Sequence, residues 1–423
     1  MFVRQNFQNK NLWQESSKEH IAFKPLKTSV TSDIAIIGAG YTGCSAALFA
    51  VNNGLSVTLI DQKIGHGGSG RNVGLVNAGL WLPPEKVENI LGVDAGSKLN
   101  KALAKTSDLV FDLIDKYEIK CSANRSGTLH CAHSQNGLKD IQKRYQQLST
   151  RGAELELLDK QQTNQRIGSS KFFGALFNKS AGTINPLSYC IGLALAAQSK
   201  GANIYETTLA TKIQSINGHW LIKTTEGSIK AKMLLIATNA YQQPIKGIKS
   251  PEYTSVHYFQ VATNPLPEKD TKMILSNGEG CWDTASVMSS FRLDEDNRLI
   301  IGGVGNLGHG ASKIHTNWAR RKIKSLFPNL NNIPIEYKWH GRIAMTGNHI
   351  PKIQKLGNNA YSVFGFSGRG IGPGTYFGKA VVESLLSGDE NSLPVTPMSQ
   401  NKERYSGIKS KLFELGATAS HLL

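Results

Sequence analysis

No apolar stretch in this sequence approaches the ~18 to 20 residues that a membrane-spanning helix requires, so no such helix is expected. The opening Met1-Phe2-Val3-Arg4-Gln5-Asn6 has no apolar run behind a basic start, which argues against a secretory signal and for a cytoplasmic protein. Cysteine is scarce: Cys44, Cys121, Cys131, Cys190 and Cys281 make an odd count, with no pair spaced as C-x-x-C. That pattern indicates neither a disulfide framework nor a zinc site, and no metal is expected. Cys44 and Cys190 stand in apolar, helix-like segments and read as packing residues. Charged residues are only 19% of the chain against 40% hydrophobic, which excludes a disordered polymer. Acids are the scarcer charge: 31 Asp and Glu against 48 Lys and Arg leave a net charge of +17. Such a surplus can attract nucleic acid, anionic lipid or an acidic ligand. Here the basic residues are spread along the chain, and the densest knot, Arg320-Arg321-Lys322, falls in a helix-like segment. A solvated basic surface is the simpler reading, and no nucleic-acid partner is expected.

What is abundant is glycine. The 42 glycines cluster at 38–43, 65–79, 302–310 and 365–378, and glycine crowds where backbone must approach a ligand or take positive φ. At 423 residues the chain exceeds what one hydrophobic core usually serves, so two joined domains are expected.

A polar lead-in fills residues 1–30. Ile34-Ala35-Ile36-Ile37 is a short, wholly apolar run that suits a parallel sheet covered on both faces. A helical pattern over 42–53 stops at Gly54, and Ser56-Val57-Thr58-Leu59-Ile60 follows as a second strand, completing a βαβ unit. Residues 136–150 read as an exposed helix; another opens at Pro186 and closes at Gly201. Strands are expected at 203–206, 209–216, 219–222 and 233–236, a mostly β pattern over 256–303, and a short helix at 318–327. A strand at 361–364, a glycine-rich turn at 365–374 and a helix to about 387 follow. The fold class is therefore α/β (α+β overall). A Rossmann-like nucleotide domain with a parallel sheet is expected from 31–80, 185–240 and 340–390. A second domain on a mostly antiparallel sheet interrupts it at 81–184 and 241–339, and 391–423 is a tail.

Gly38-Ala39-Gly40-Tyr41-Thr42-Gly43 fits G-x-G-x-x-G, follows a strand and opens a helix. The first glycine permits the tight turn, the second lets backbone approach a pyrophosphate, and the third lets helix and strand pack closely. The helix N-terminus adds unsatisfied N–H groups. Asp61 ends the second strand, eighteen positions after Gly43, where an acid can bind the ribose of an adenine nucleotide. Two further clusters, Gly65-His66-Gly67-Gly68-Ser69-Gly70-Arg71-Asn72-Val73-Gly74 and Gly365-Phe366-Ser367-Gly368-Arg369-Gly370-Ile371-Gly372-Pro373-Gly374, exceed what a plain NAD domain needs. An extended FAD with its ring between domains would use all three.

These residues resemble the D-amino-acid-oxidase-like superfamily of FAD-dependent amine oxidoreductases, and within it the γ-glutamylputrescine oxidase branch. The likeness also runs through Ala237-Thr238-Asn239-Ala240-Tyr241, Phe291-Arg292-Leu293, Asn297-Arg298-Leu299-Ile300-Ile301-Gly302-Gly303, Trp339-His340-Gly341-Arg342 and Pro351. The resemblance implies an FAD domain interrupted by a substrate domain whose antiparallel sheet covers the flavin. It implies cofactor contacts from Gly38, Gly40, Tyr41, Thr42, Gly43, Asp61 and Gln62, and from Ser69, Gly70, Arg71, Asn72, Gly74 and Leu75. Ala210 would lie by the adenine, Ala237 and Thr238 along the same half, and Ser367, Gly368, Arg369, Gly370 and Ile371 at the flavin's pyrimidine edge. Related α-amino-acid oxidases hold the substrate carboxylate with an arginine at the place of Ile343; here the nearest, Arg342, is one position early and in a strand would face the other way. No cysteine lies beyond Cys281 and no histidine stands beside Asn72, so FAD is expected to be held without a covalent tether.

Flavin amine oxidation needs positioning and electrostatics more than a triad, and no triad is legible. Pocket candidates are His257, Tyr258, Trp282, Arg292, Trp339 and Met345, with His349 ambiguous. The expected substrate is a small amine, polyamine-like or secondary rather than a standard α-amino acid, with O2 or another carrier accepting electrons. Two alternatives stay open: a flavoenzyme acting on an aminomethyl group of tRNA, and a flavin-binding partner without turnover.

Overall fold

The computed structural model describes residues 11–308 and 310–422. The reading of the first six residues lies outside them. The wholly apolar run at 34–37 is the buried end of a longer strand, Ser29–Ile37. It is the spine of an eight-stranded sheet, pairing in parallel with Val57–Ile60 on one side and Ser228–Ile236 on the other. Asn203–Tyr205 extends the sheet beyond Val57–Ile60, and Ala360–Phe364 beyond Ser228–Ile236, both in parallel. Lys352–Gly357 closes that edge antiparallel, and Ala210–Ile216 and His219–Thr224 branch from Ser228–Ile236. Three well-separated lengths of chain thus interleave in one sheet. Helix Tyr41–Asn52 is buried almost all round because helices Pro186–Ser199 and Ile371–Ser387 cover it, which is why its composition is apolar on every face.

The second eight-stranded sheet runs Ile335–Met345, Thr254–Pro265, Arg298–Val304, Ser289–Leu293, Gly280–Asp283, Thr128–Cys131, Ala175–Asn178, Leu155–Leu158. All its pairs are antiparallel except Gly280–Asp283 with Thr128–Cys131. The border expected at 340 falls inside its strand Ile335–Met345. Helices Pro84–Leu91, Val93–Ala104 and Thr106–Lys116, not foreseen individually, pack on the core around the first sheet. The lead-in is not featureless either. Leu12 and Trp13, in the short helix Leu12–Glu15, are fully buried, and Asn11 Nδ2 and Trp13 Nε1 donate to the carbonyls of Gly70 and Asn72 at 2.9 and 2.8 Å. No helix among the described residues is long and apolar enough to cross a membrane.

The segment expected as a tail carries helix Ser406–Leu422, which lies on strand Thr254–Pro265 and helix Ser312–Leu326. Its anchor is polar. His421 is buried, its Nδ1 is 2.8 Å from Nδ1 of buried His315, and its ring stacks on Trp318 with centroids 4.2 Å apart. Phe259 meets it edge-on, and Arg321 donates to its carbonyl. Glu414 on the same helix faces His257 and His315. Burial first, then the neighbouring His315 and Arg321, push His421 down to about 4. A base with a lower pKa in the folded state takes up protons more readily when unfolded, so this stabilisation is complete above about pH 6.5 and is lost as pH falls toward 4. Amide exchange over 406–422, corrected for intrinsic rate, should therefore show weaker protection at about pH 5 than at about pH 7; equal protection would refute the linkage.

Candidate functional site

A cavity of about 910 Å³ opens where the two sheets meet, a size that suits a large ligand. All three glycine-rich stretches reach it: Gly38 and Gly40 from the first, Gly65, Gly67 and Gly68 from the second, Gly368 and Gly370 from the third. Two helix N-termini open on it, those of Tyr41–Asn52 and Ile371–Ser387, presenting N–H groups without intrahelical partners.

Asp61 stands at the end of its strand with Oδ2 accepting from Ala39 N at 2.6 Å and Oδ1 from Gln62 N at 2.6 Å. Burial raises its pKa, and these backbone donors oppose the rise. The carboxylate thereby braces the first glycine turn while still bordering the cavity. Ser69 joins the first two stretches: its Oγ accepts from Tyr41 N at 3.1 Å and its carbonyl from Tyr41 Oη at 2.6 Å. The Arg71 guanidinium donates to the His66 and His340 carbonyls, fastening the second stretch to strand Ile335–Met345. Burial pushes His66 down to about 4, so it is neutral near pH 7.

Every residue for which cofactor contact was expected borders this cavity except Gly43, Gly70 and Gly74. Those three serve backbone packing instead. A Cβ on Gly43 would lie 1.8 Å from the Gly38 carbonyl oxygen, one on Gly70 2.3 Å from that of Gly65, and one on Gly74 2.2 Å from that of Ile184. Gly74 also has φ +80°, which disfavours any side chain.

The opposite wall comes from the second sheet. Val256, Tyr258 and Gln260 alternate along Thr254–Pro265 and all face the cavity, joined by Trp282, Met288, Ser290, Ile343 and Met345. Tyr258 Oη bonds Ser290 Oγ and the Gly302 carbonyl, both at 3.0 Å, and burial raises its pKa, so it stays a neutral hydroxyl. Burial lowers the pKa of His349, another neutral group at the cavity. Of the pocket candidates, Tyr258, Trp282 and Met345 border it; His257, Arg292 and Trp339 do not. His257 directly precedes Tyr258 in a strand and so turns away, its Nδ1 3.5 Å from Glu414 Oε2. Arg292 is buried and spends its N–H groups on the carbonyls of Gly74, Ile184 and Leu293. Trp339 pairs with Gln260 in the strand register, but Trp13 covers it and its Nε1 donates to the Arg71 carbonyl at 3.0 Å. Arg342 and Ile343 do face opposite ways: Ile343 approaches Gly368, and Arg342 stacks on Tyr241 with its carbon 4.7 Å from the ring centre. Gln260, Ser290 and Trp81 were missed. Period-two alternation from Tyr258 would have found Gln260.

Over residues 33–384 the chain matches the family DAO, described as FAD dependent oxidoreductase. It is 29% identical over 381 residues to the gamma-glutamylputrescine oxidoreductase of Escherichia coli, covering 88% of each chain. It is 30% identical over 381 residues to the Rhizobium meliloti protein named "Probable oxidoreductase OrdL", again covering 88% of each. Among solved structures, L-proline dehydrogenase from P. horikoshii shares the fold with a TM-score of 0.71 at 21% identity, over 88% of this chain and 97% of that one. The glycine cradle, the paired helix N-termini and the braced carboxylate fit an extended flavin nucleotide, and the family match spans most of the sequence. We conclude that the chain is an enzyme of the DAO family of FAD-dependent oxidoreductases, with FAD as its cofactor.

Proposed function

We propose that this enzyme oxidises the C–N bond of an amine or amino-acid derivative to an imine, which water then hydrolyses, and that its FAD is held without a covalent bond. The observation that carries the reading is the composition of this cavity: a glycine-lined half fit for a nucleotide, continuous with a wall of Tyr258, Gln260, Trp282, Ser290 and Met345 that can enclose a small organic molecule. Bound FAD supplies the hydride acceptor. The protein's part is to hold, orient and keep dry. Gly38, Gly40 and the first helix N-terminus would take the pyrophosphate, Asp61 the ribose, and the N-terminus of Ile371–Ser387 would stabilise negative charge at the far end. The aromatic wall excludes water from the reacting carbon. None of the five cysteines borders the cavity, which supports a cofactor held by contacts alone.

The test is anaerobic bleaching of the bound flavin by polyamines, N-methyl and γ-glutamyl amines, and D-amino acids. With Ile343 at the place of the carboxylate-forking arginine, polyamine-like or secondary amines should bleach it faster than simple D-amino acids. The reverse order would discard the argument from Ile343, and bleaching by none of them would discard the reaction.

A further inference from the structure

Helix Ser406–Leu422 is mounted with its polar side inward. Ser410, Glu414, Ala417 and His421, at steps of four, three and four, make one face, and that face is tied to the body of the protein. Ser410 Oγ accepts from Ser255 N at 2.9 Å, Glu414 faces His257 and His315, and Ala417 and His421 are buried. On the opposite side Ile408, Leu412, Leu415 and Leu422 follow steps of four, three and seven and are 59% to 66% exposed. A surface helix ordinarily turns such a stripe toward the core; this one offers it outward. Of the twelve large hydrophobic side chains that stand exposed among the described residues, six lie between 405 and 422, the other two being Tyr405 and Phe413. Single apolar groups on a surface need no explanation, but a contiguous strip marks an interaction site.

The charge around this stripe has one sign. Lys409 and Lys411 flank it, and Lys402 and Arg404 lead into it. The nearby acids are turned away: Glu414 as above, and Glu403, which accepts from Gly347 N at 3.0 Å and pairs with Lys409 at 2.8 Å. The adjoining helix Ser312–Leu326 holds Lys313, Lys324 and the Arg320-Arg321-Lys322 knot, and no acid. Lys322 is answered by Asp283 at 3.0 Å, whereas no carboxylate among the described residues pairs with Lys313, Arg320, Lys324, Lys402, Arg404 or Lys411. Two copies meeting through these helices would set cation against cation with no acid to answer them, so the face does not complement itself. An anionic lipid surface complements both the stripe and the charge.

We propose that helix Ser406–Leu422 docks the enzyme on an anionic phospholipid bilayer, lying in the headgroup plane with Ile408, Leu412, Leu415 and Leu422 at the acyl boundary. The lysines and arginines of both helices then stand among the phosphates. Charge draws the protein to the surface and is screened by salt; burial of the stripe holds it there. The polar anchor on the inner face lets the helix expose its apolar side without leaving the protein. Phe413, on the flank of the same helix, borders the cavity, so the docked enzyme holds the cavity's rim at the lipid surface. The docking is independent of which amine is oxidised.

The test is flotation of the FAD-loaded protein with mixed phosphatidylglycerol–phosphatidylcholine vesicles, with pure phosphatidylcholine vesicles as the neutral control. The protein should float with the mixed vesicles, bind the neutral ones at least about tenfold more weakly, and come off the mixed ones as salt is raised. Leu412→Glu combined with Leu415→Glu should weaken binding at least about tenfold, and so should Lys324→Gln combined with Lys411→Gln. All four side chains face solvent, so circular dichroism and flavin absorbance should be unchanged in both variants. A nitrobenzoxadiazole dye on Leu415→Cys, selective because the five native cysteines are buried, should shift to the blue on the mixed vesicles. The proposal is overturned if the protein does not float with the mixed vesicles, if it binds the neutral ones equally, or if either paired variant binds undiminished. An unshifted dye on bound protein overturns it too. So does a dimer in vesicle-free buffer that Leu412→Glu with Leu415→Glu dissolves, because the face then belongs to a second copy. Should the glutamate pair lose FAD, the glutamine pair and the dye decide the matter.

Discussion

The Gly40→Val protein should purify folded but colourless, with bound FAD lowered at least about tenfold. Gly40 is the residue from which helix Tyr41–Asn52 springs, and it borders the cavity. A Cβ there would sit 2.8 Å from Ser69 Oγ, the atom that accepts the Tyr41 N–H. Valine would therefore push the second glycine stretch away and put two methyl groups in the path of the pyrophosphate. The damage stays local, because the neighbouring contact is the end of a side chain rather than backbone. Circular dichroism should be unchanged while the visible flavin bands disappear; a variant that kept its full yellow absorbance would overturn the assignment of this turn.

Trp339→Ala should cost about 3–5 kcal/mol of stability, the range for removing a large aromatic side chain from a core. Trp339 is fully buried, meets Trp13 edge to face at 5.8 Å and donates to the Arg71 carbonyl. Its loss opens a void between the short N-terminal helix and the second sheet, and it frees the backbone that shapes the second glycine stretch. Denaturant unfolding should show the loss, and FAD retention should fall with it. A change below about 1 kcal/mol would show that Trp339 is not the packing centre it is taken for here.

How far the sequence reveals this arrangement depends on how local the cause is. The βαβ unit was legible because strand, glycine turn, helix and acid follow one another within a short span, each demanded by its own geometry. The opposed directions of Arg342 and Ile343 were legible for the same reason, since strand alternation is a local rule. Trp339 and Arg292 were not. Both have the chemistry of pocket residues, and only the distant chain that covers them, Trp13 for one and the Gly74 and Ile184 carbonyls for the other, turns them inward. His257 is a different case: placing it beside Tyr258 in one pocket contradicts the alternation of any strand. The C-terminal helix escaped notice because Ile408, Leu412 and Leu415 face solvent, while its buried side is carried largely by Ala417 and His421. Its pattern gives no apolar stripe turned toward a core.

The interleaving of the first sheet bears on how the protein is made. Strand Ser29–Ile37 leaves the ribosome early, yet its partner Ser228–Ile236 arrives some two hundred residues later, and Ala360–Phe364 later still. A nascent chain halted before the last of these has an open flank on its central strands and lacks the third wall of the flavin cradle. Closure of such distant pairings is slow and leaves unpaired edges exposed in the meantime. Complete enclosure of the cofactor therefore has to wait for the glycine-rich stretch that follows Ala360–Phe364, and chains truncated before it should not retain FAD.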